Sequence, residues 1–403
     1  MTYHLAEKTI DAGDVHHLTE WLKTDPWLSM GAMTKRFERA WTDIIGTRFA
    51  VYVNSGSSAN LLMVAVMAES YRSAKTSTRR PTVVVPAVSW ATTVMPVIQL
   101  GCNPILCDAD ETTWGLDPDH LEQICKATDV HAVLVVHVMG VPAQIQQIEE
   151  IQNRYGFWIL EDSCASPLST FVDEDGAIPR RIGTCGEMSS TSLYMGHVRS
   201  TIEGGIVCTD SVIGYEQLLM MRSHGWAKDV SLDRQVDLAD RYQIPEFNRV
   251  FTFYQLGYNV RPTDLGACLG VSQLENMDEV ARVRQRNHEQ YQQYFRSHLP
   301  DFAIQESPGS VICSISFAAL APTTGDRDRV TRHIQSQGVE TRPVGGGSMG
   351  RQPFWIDRYG EQRLTMADAV HDRSFLLPNH HHLTESDVAV ICEHAREGYE
   401  RGR

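Results

Sequence analysis

Three stretches of this chain carry side chains that could do chemistry together. Asn54-Ser55-Gly56-Ser57-Ser58-Ala59-Asn60 follows the apolar run Phe49-Ala50-Val51-Tyr52-Val53 and precedes a helical run at 61–67. A strand, a small-residue turn and a helix start in that order make an anion site, because free N–H groups and the helix dipole point at one spot. A plain serine-rich helix cap reads the same way, and the segment alone does not separate the two. Asp162 ends the run Trp158-Ile159-Leu160-Glu161-Asp162 and offers a carboxylate beyond a buried strand. His197 lies within residues 183–205, and an imidazole near its ordinary pKa of about 6.5 can take and return a proton around neutrality. The chain has six lysines, at 8, 23, 35, 75, 126 and 228, and none of them falls in that stretch.

These residues need elements to hold them. A helix is predicted over 33–46, then a buried strand at 49–53. Further strands are predicted at 82–86, 104–107, 132–137, 158–162 and 205–209, with a helix at 143–154 among the helical patterns between them. β-branched runs without alternation, separated by helices, indicate a mostly parallel sheet covered on both faces. Ligands in such sheets sit beyond the carboxyl ends of strands. Asn54 to Ser58, Ser89-Trp90, His137 and Asp162 all fall at such ends. After about residue 265 the pattern changes: one long helix over about 264–295, strands near 311–318 and 338–344, and a final helix from 385. The expected organisation is an N-terminal arm (1–30), a large domain (31–265) and a small C-terminal α/β domain (266–403).

A length of 403 residues fits one large and one small domain. The net charge of −14 leaves no basic surplus for nucleic acid or an anionic membrane, whereas a phosphorylated small molecule needs only a few local donors. The nine cysteines are scattered, without a C-x-x-C pair, which points to reduced thiols in a cytoplasmic protein and only weakly to a metal. Neither an apolar leader nor a membrane-length apolar run is evident, so no membrane partner is expected.

Taken jointly, several motifs resemble a known family over nearly the whole chain. They are the 54–59 segment, Pro86-Ala87-Val88-Ser89-Trp90, Leu160-Glu161-Asp162, His197 with Glu203-Gly204-Gly205, Arg222-Ser223-His224-Gly225, Gly257-Tyr258-Asn259-Val260-Arg261-Pro262-Thr263-Asp264, Glu340-Thr341-Arg342-Pro343 and Arg351-Gln352-Pro353. The chain resembles the sugar aminotransferases (DegT/DnrJ/EryC1/StrS) of the aspartate aminotransferase fold, the type I fold of pyridoxal-phosphate enzymes. Where that family carries the lysine that joins the cofactor aldehyde, this chain has His197. The substitution is similar to the branch of GDP-4-keto-6-deoxy-D-mannose 3-dehydratases. A sister group adds an iron–sulfur cluster held by cysteines between the Arg-x-His-Gly and Gly-Tyr-Asn motifs. Residues 224–259 contain no cysteine, so no metal is expected.

The resemblance implies roles residue by residue. Pyridoxal 5′-phosphate or pyridoxamine 5′-phosphate is held without a covalent tether. Asp162 pairs with its pyridine nitrogen, and Trp90 stacks on the ring, unless it is a core tryptophan. Gly56, Ser57, Ser58 and Ser192 hold the phosphate, and Asn259 reaches the phosphate in the other subunit of a homodimer with shared sites. His197 is the base and then the acid in removing the C3 hydroxyl of a nucleotide-linked 4-keto-6-deoxyhexose, after which an amino donor such as glutamate restores the amine. Glu203-Gly204-Gly205 is expected to shape a turn rather than do chemistry. The run Asp162-Ser163-Cys164-Ala165-Ser166 departs from the family in lacking its usual polar contact to the ring hydroxyl, unless Ser163 or Ser166 supplies it. Val198 stands where a second histidine is often found. A transaminase or lyase acting on a non-sugar substrate, and a cofactor-binding protein without turnover, both stay open.

Overall fold

Short runs of buried β-branched residues build a central sheet, and the helices between them cover both faces. The computed structural model describes residues 2–74, 80–165, 167–172 and 179–401. Its first five strands are β1 (Phe49–Val53), β2 (Thr82–Pro86), β3 (Asn103–Cys107), β4 (Ala132–Val136) and β5 (Trp158–Asp162). A small ribbon follows, β6 (Thr170–Val172) with β7 (Pro179–Arg181), and then β8 (Met188–Ser192) and β9 (Gly205–Thr209). The seven main strands lie in the order β1-β9-β8-β5-β4-β2-β3. Only β9 runs against its neighbours; the pairs from β8 to β3 are parallel. Parallel neighbours need crossovers, which the helices Gly56–Ala74, Ala91–Gln99, Pro118–Ala127 and Ile145–Tyr155 provide. The carboxyl ends of β1, β2, β4, β5 and β8 therefore open on one edge, as the sequence pattern implies.

β8 has no counterpart among the expected strands. Its sequence, Met188-Ser189-Ser190-Thr191-Ser192, carries no apolar run, yet all five residues are buried. Internal partners make this tolerable: Ser189 Oγ donates to the Gly183 carbonyl (2.6 Å) and Ser190 Oγ to Asn60 Oδ1 (2.6 Å).

The C-terminal region holds a second, antiparallel sheet of β10 (Ala303–Ile304), β11 (Ser316–Leu320) and β12 (Ser374–Pro378). Tyr291, Phe295, Phe317, Phe375 and Ile391 fill the space between this sheet and the helices Met277–His298 and Glu385–Glu400. Three expectations need correction here. The single long helix is two, Asp264–Leu274 and Met277–His298, because Asn276 leaves helical geometry (φ −109°, ψ 19°). Residues 338–344 form no strand; they lie alongside the N-terminal arm, with Tyr3 N–H donating to the Gly338 carbonyl and Leu5 N–H to Glu340 Oε2. The strand expected at 311–318 begins at Ser316, and the third strand of the sheet is β12.

Candidate active site

Asp162 is the last residue of β5 and is 5% exposed. A buried carboxylate needs donors, and it has them. Asn60 Nδ2 (2.8 Å) and Thr93 Oγ1 (2.7 Å) both donate to Oδ2, and the Cys164 N–H donates to Oδ1 (3.1 Å). Asn60 is oriented in turn by Ser190. Three elements thus fix one carboxylate: the helix Gly56–Ala74, the helix Ala91–Gln99 and β8. Oδ1 takes only the one backbone bond and keeps acceptor capacity for a ligand. The preceding residue, Glu161, points to the opposite face, as strand alternation requires. It accepts from the N–H groups of Gly183, Cys185 and Gly186 and meets His137 Nε2 at 3.0 Å. His137 Nδ1 accepts from the Ala143 N–H, so Nε2 carries the proton. His137, although at a strand end, is spent on this fully buried network.

Beside Asp162 lies the mouth of the helix Gly56–Ala74. Ser55 caps it, its Oγ accepting from the Ser58 N–H (3.1 Å). The turn is pressed between β8 and β9. A Cβ on Gly56 would fall 2.6 Å from Ser192 Cβ, and one on Gly205 would fall 2.3 Å from the Ser55 carbonyl oxygen. Only glycine at both places lets Ser192 and β9 come this close to the helix N-terminus. Ser57 Oγ is held by Thr92 Oγ1 at 3.0 Å.

His197 rides on the connection between β8 and β9, whose stem is closed by Leu193 N–H donating to the Gly204 carbonyl (2.8 Å) and Thr201 N–H to the Leu193 carbonyl (3.0 Å). Its own N–H donates to the Tyr194 carbonyl, and the Tyr194 ring stands edge-on to the imidazole at 6.1 Å. Nδ1 is buried and makes no hydrogen bond among the described residues. Burial is the main influence on its charge and pushes the pKa down to about 4. The charge of Asp162 and the Ser192 backbone carbonyl, as an acceptor for the ring, oppose that fall, while Arg284 and Arg342 add to it. The ring is therefore a neutral base at pH 7, more firmly than an ordinary pKa of about 6.5 suggests.

A buried carboxylate, a serine-rich helix N-terminus and a neutral imidazole thus lie at strand ends of one sheet, and the chain can be set beside known proteins. The model of the "DegT/DnrJ/EryC1/StrS aminotransferase family" matches residues 8–396. The chain belongs to this sugar aminotransferase family. Among its relatives is a GDP-4-keto-6-deoxy-D-mannose 3-dehydratase of Yersinia pseudotuberculosis, 30% identical over 352 residues, which are 86% of each chain. Among solved structures, a point mutant of GDP-4-keto-6-deoxymannose-3-dehydratase with bound GDP-perosamine superposes with a TM-score of 0.86 at 26% identity, covering 98% of this chain and 100% of that one. The same enzyme with a trapped PLP-glutamate geminal diamine gives 0.84 at 26% identity, covering 98% and 100%.

The site fits the cofactor of the sugar aminotransferases. Asp162 has an open acceptor for a ring nitrogen, the Gly56 cradle has no room for a side chain, and His197 presents an unpartnered nitrogen. Trp90 is 63% exposed and so is no core residue. It immediately precedes the helix that carries Thr93, whose N–H donates to the Trp90 carbonyl. Asn259 is exposed, its Oδ1 accepting from Arg261 Nε (3.1 Å). The adjoining Val260 carbonyl accepts from the Asn54 N–H, which ties this segment to the start of the turn. Ser163 is buried, its Oγ donating to the Ser190 carbonyl (2.8 Å), so it is committed within the sheet; Ser166 lies outside the described residues. The five described lysines, Lys8, Lys23, Lys35, Lys126 and Lys228, are all exposed, and Lys228 lies over the Trp226 ring at 5.2 Å. Sequence reasoning missed Asn60 and Thr93, which hold Asp162, and the cations Arg284 and Arg342 that act on His197. Thr93 follows Trp90 by one turn, a signal available in the sequence; Arg342 stood in the Glu340-Thr341-Arg342-Pro343 motif without a role, and Arg284, from the C-terminal half, left no signal.

Proposed function

We propose that this chain removes the C3 hydroxyl of a nucleotide-linked 4-keto-6-deoxyhexose, using pyridoxamine 5′-phosphate and an amino donor. One observation carries the reading: a half-buried neutral imidazole, His197, whose Nδ1 is shut off from water, stands within electrostatic reach of Asp162, while every described lysine lies on the surface. The relatives named as 3-dehydratases support the same reaction class.

The cofactor supplies an amine for the C4 ketone and a protonated ring that draws electrons out of the substrate. Asp162 holds the charge on that ring's nitrogen. Gly56, Ser57, Ser58 and Ser192 hold the phosphate, Gly56 and Ser57 through N–H groups at the helix N-terminus. Trp90 covers the ring and keeps water off it. His197 takes a proton and is then correctly charged to give one to the departing C3 oxygen. A lysine at 197 would be a tether and would return the proton to carbon. Arg342 brings positive charge near His197, suited to an anionic group of the substrate or of glutamate, whereas Arg284 is buried and donates to the Ser314 and Ile315 carbonyls. Phe247, Phe251, Phe253 and Leu256 are exposed together, which supports a homodimer that covers them and brings Asn259 to the partner's cofactor. All nine cysteines are free thiols, which suits a reducing compartment, and we place the enzyme in the cytoplasm.

The test is incubation with pyridoxamine phosphate, glutamate and GDP-, dTDP- and CDP-linked 4-keto-6-deoxyhexoses. The expected result is equimolar ammonia, 2-oxoglutarate and a sugar lighter by one oxygen atom. An amino sugar without ammonia would mean transamination instead. Cofactor binding with no product from any sugar would leave a binding protein or an enzyme for another carbonyl compound.

A further inference from the structure

The helices Thr324–Ser336 and Glu385–Glu400 cross in the C-terminal region, well away in sequence from the residues around Asp162. Gly398 lets them approach: a Cβ there would lie 2.9 Å from His333 Cβ and 3.1 Å from Val330 Cα. This close contact presses His333 onto the other helix, where His394 and Glu397 share one face at i and i+3. His333 is buried, and its Nε2 lies 3.1 Å from Glu397 Oε2. His394 Nδ1 is 3.7 Å from the same oxygen, is itself buried, and makes no hydrogen bond. One ligand atom from each of the three residues lies within 4.8 Å of the others. Arg396, the nearest cation in sequence, turns to Glu393 and Glu400 and leaves Glu397 to the two imidazoles.

We propose that His333, His394 and Glu397 bind one divalent transition-metal ion of the zinc class, clamping the two helices together. Metal–nitrogen and metal–oxygen bonds of about 2.0–2.1 Å at tetrahedral angles put neighbouring ligand atoms about 3.3 Å apart. The separations of 3.1 and 3.7 Å bracket that value. Two imidazoles and one carboxylate suit zinc, cobalt or nickel better than calcium or magnesium, which prefer all-oxygen sets. Glu397 is partly exposed, so water completes the fourth position and the ion has a way in. The three ligands tie one helix to another, so the ion's work is to fasten the fold. The site stands independently of the proposed reaction. A competing set of imidazoles exists in His380, His381 and His382, and it provides the control.

The experiment uses untagged full-length protein stripped with EDTA, then titrated with ZnCl2 by calorimetry and thermal melting and with CoCl2 by visible absorption. The expected result is one ion per chain, a raised Tm and the absorption of tetrahedral cobalt. His394→Ala and Glu397→Gln should each weaken binding about tenfold or more, since each deletes a ligand, while His382→Ala binds as the parent does. Melting of the metal-free variants shows whether they are folded. No uptake by the parent at a several-fold molar excess of ZnCl2, or parental affinity in both ligand variants, overturns the proposal. Loss of uptake in His382→Ala alone overturns it too.

Discussion

His197 departs from an ordinary histidine because much of its ring is held away from water. Its pKa near 4 leaves it unprotonated across the neutral range, so the base is always ready and the acid it becomes is strong. The nucleus at Cε1, assigned by comparison with His197→Asn, should titrate by NMR with a midpoint near 4 in the cofactor-free protein. A midpoint near 6.5 would show a solvated ring and remove this account of its basicity. The exchange of base for tether can be read separately. His197→Lys should lose dehydration, with kcat down about 10²–10⁴-fold, and should gain a cofactor attached covalently at residue 197. Borohydride reduction and peptide mass would reveal the attachment. An undiminished dehydration rate in this variant would mean that residue 197 does not move the proton.

At the scale of elements, the site is a meeting of strand ends, and most of those ends were legible in the sequence. Thr82-Val83-Val84-Val85-Pro86 and Ala132-Val133-Leu134-Val135-Val136 are buried on both faces and so read as unbroken apolar runs. β8 was illegible because its buried side chains are hydroxyls, satisfied by the Gly183 carbonyl six residues back and by Asn60 on a separate helix, which no apolar pattern reports. The break at Asn276 was illegible too, since no proline or glycine stands at residues 271–280 to stop a helix. His137 gave the converse failure: its position at a strand end was plain, but its engagement with Glu161 depends on packing. Gly56 and Gly205 show what the motifs meant physically. Gly56→Ala would place a methyl 2.6 Å from Ser192 Cβ, and the strand end would have to shift. We expect about 1–3 kcal/mol of lost stability by urea unfolding, from overpacking, and weaker cofactor binding by fluorescence titration. Unchanged cofactor affinity would separate the cradle from the phosphate site.

Across the whole molecule, two features reach beyond the site. Phe247, 93% exposed, and Phe251, 72% exposed, lie on a segment that also carries Asn259, so in the proposed homodimer assembly and cofactor binding would draw on one surface. Phe251→Asp should yield a monomer by analytical ultracentrifugation, with loss of turnover; a fully active monomer would show that each chain holds a complete site. The second feature is a set of histidines buried without charge. His288, 2% exposed, receives only Ser314 Oγ at 2.7 Å, and burial pushes its pKa to about 3, helped by Arg296. His380 and His381 are pushed to about 4 and about 3, also mainly by burial. In the unfolded chain each would titrate near 6.5. Below that pH the unfolded state binds protons that the folded state refuses, so stability falls as pH falls. For His288 the loss is roughly 1.4 kcal/mol per pH unit, continuing down to about pH 3. Raised carboxylates such as Glu38 and exposed pairs such as His4 with Glu340 act in the opposite direction but are outnumbered in this window. The urea midpoint should therefore drop between pH 7 and pH 5. His288→Gln, which keeps a polar group for Ser314 but cannot take a proton there, should flatten that slope by about one proton; an equal slope in parent and variant would mean that His288 is solvated or charged in the folded chain.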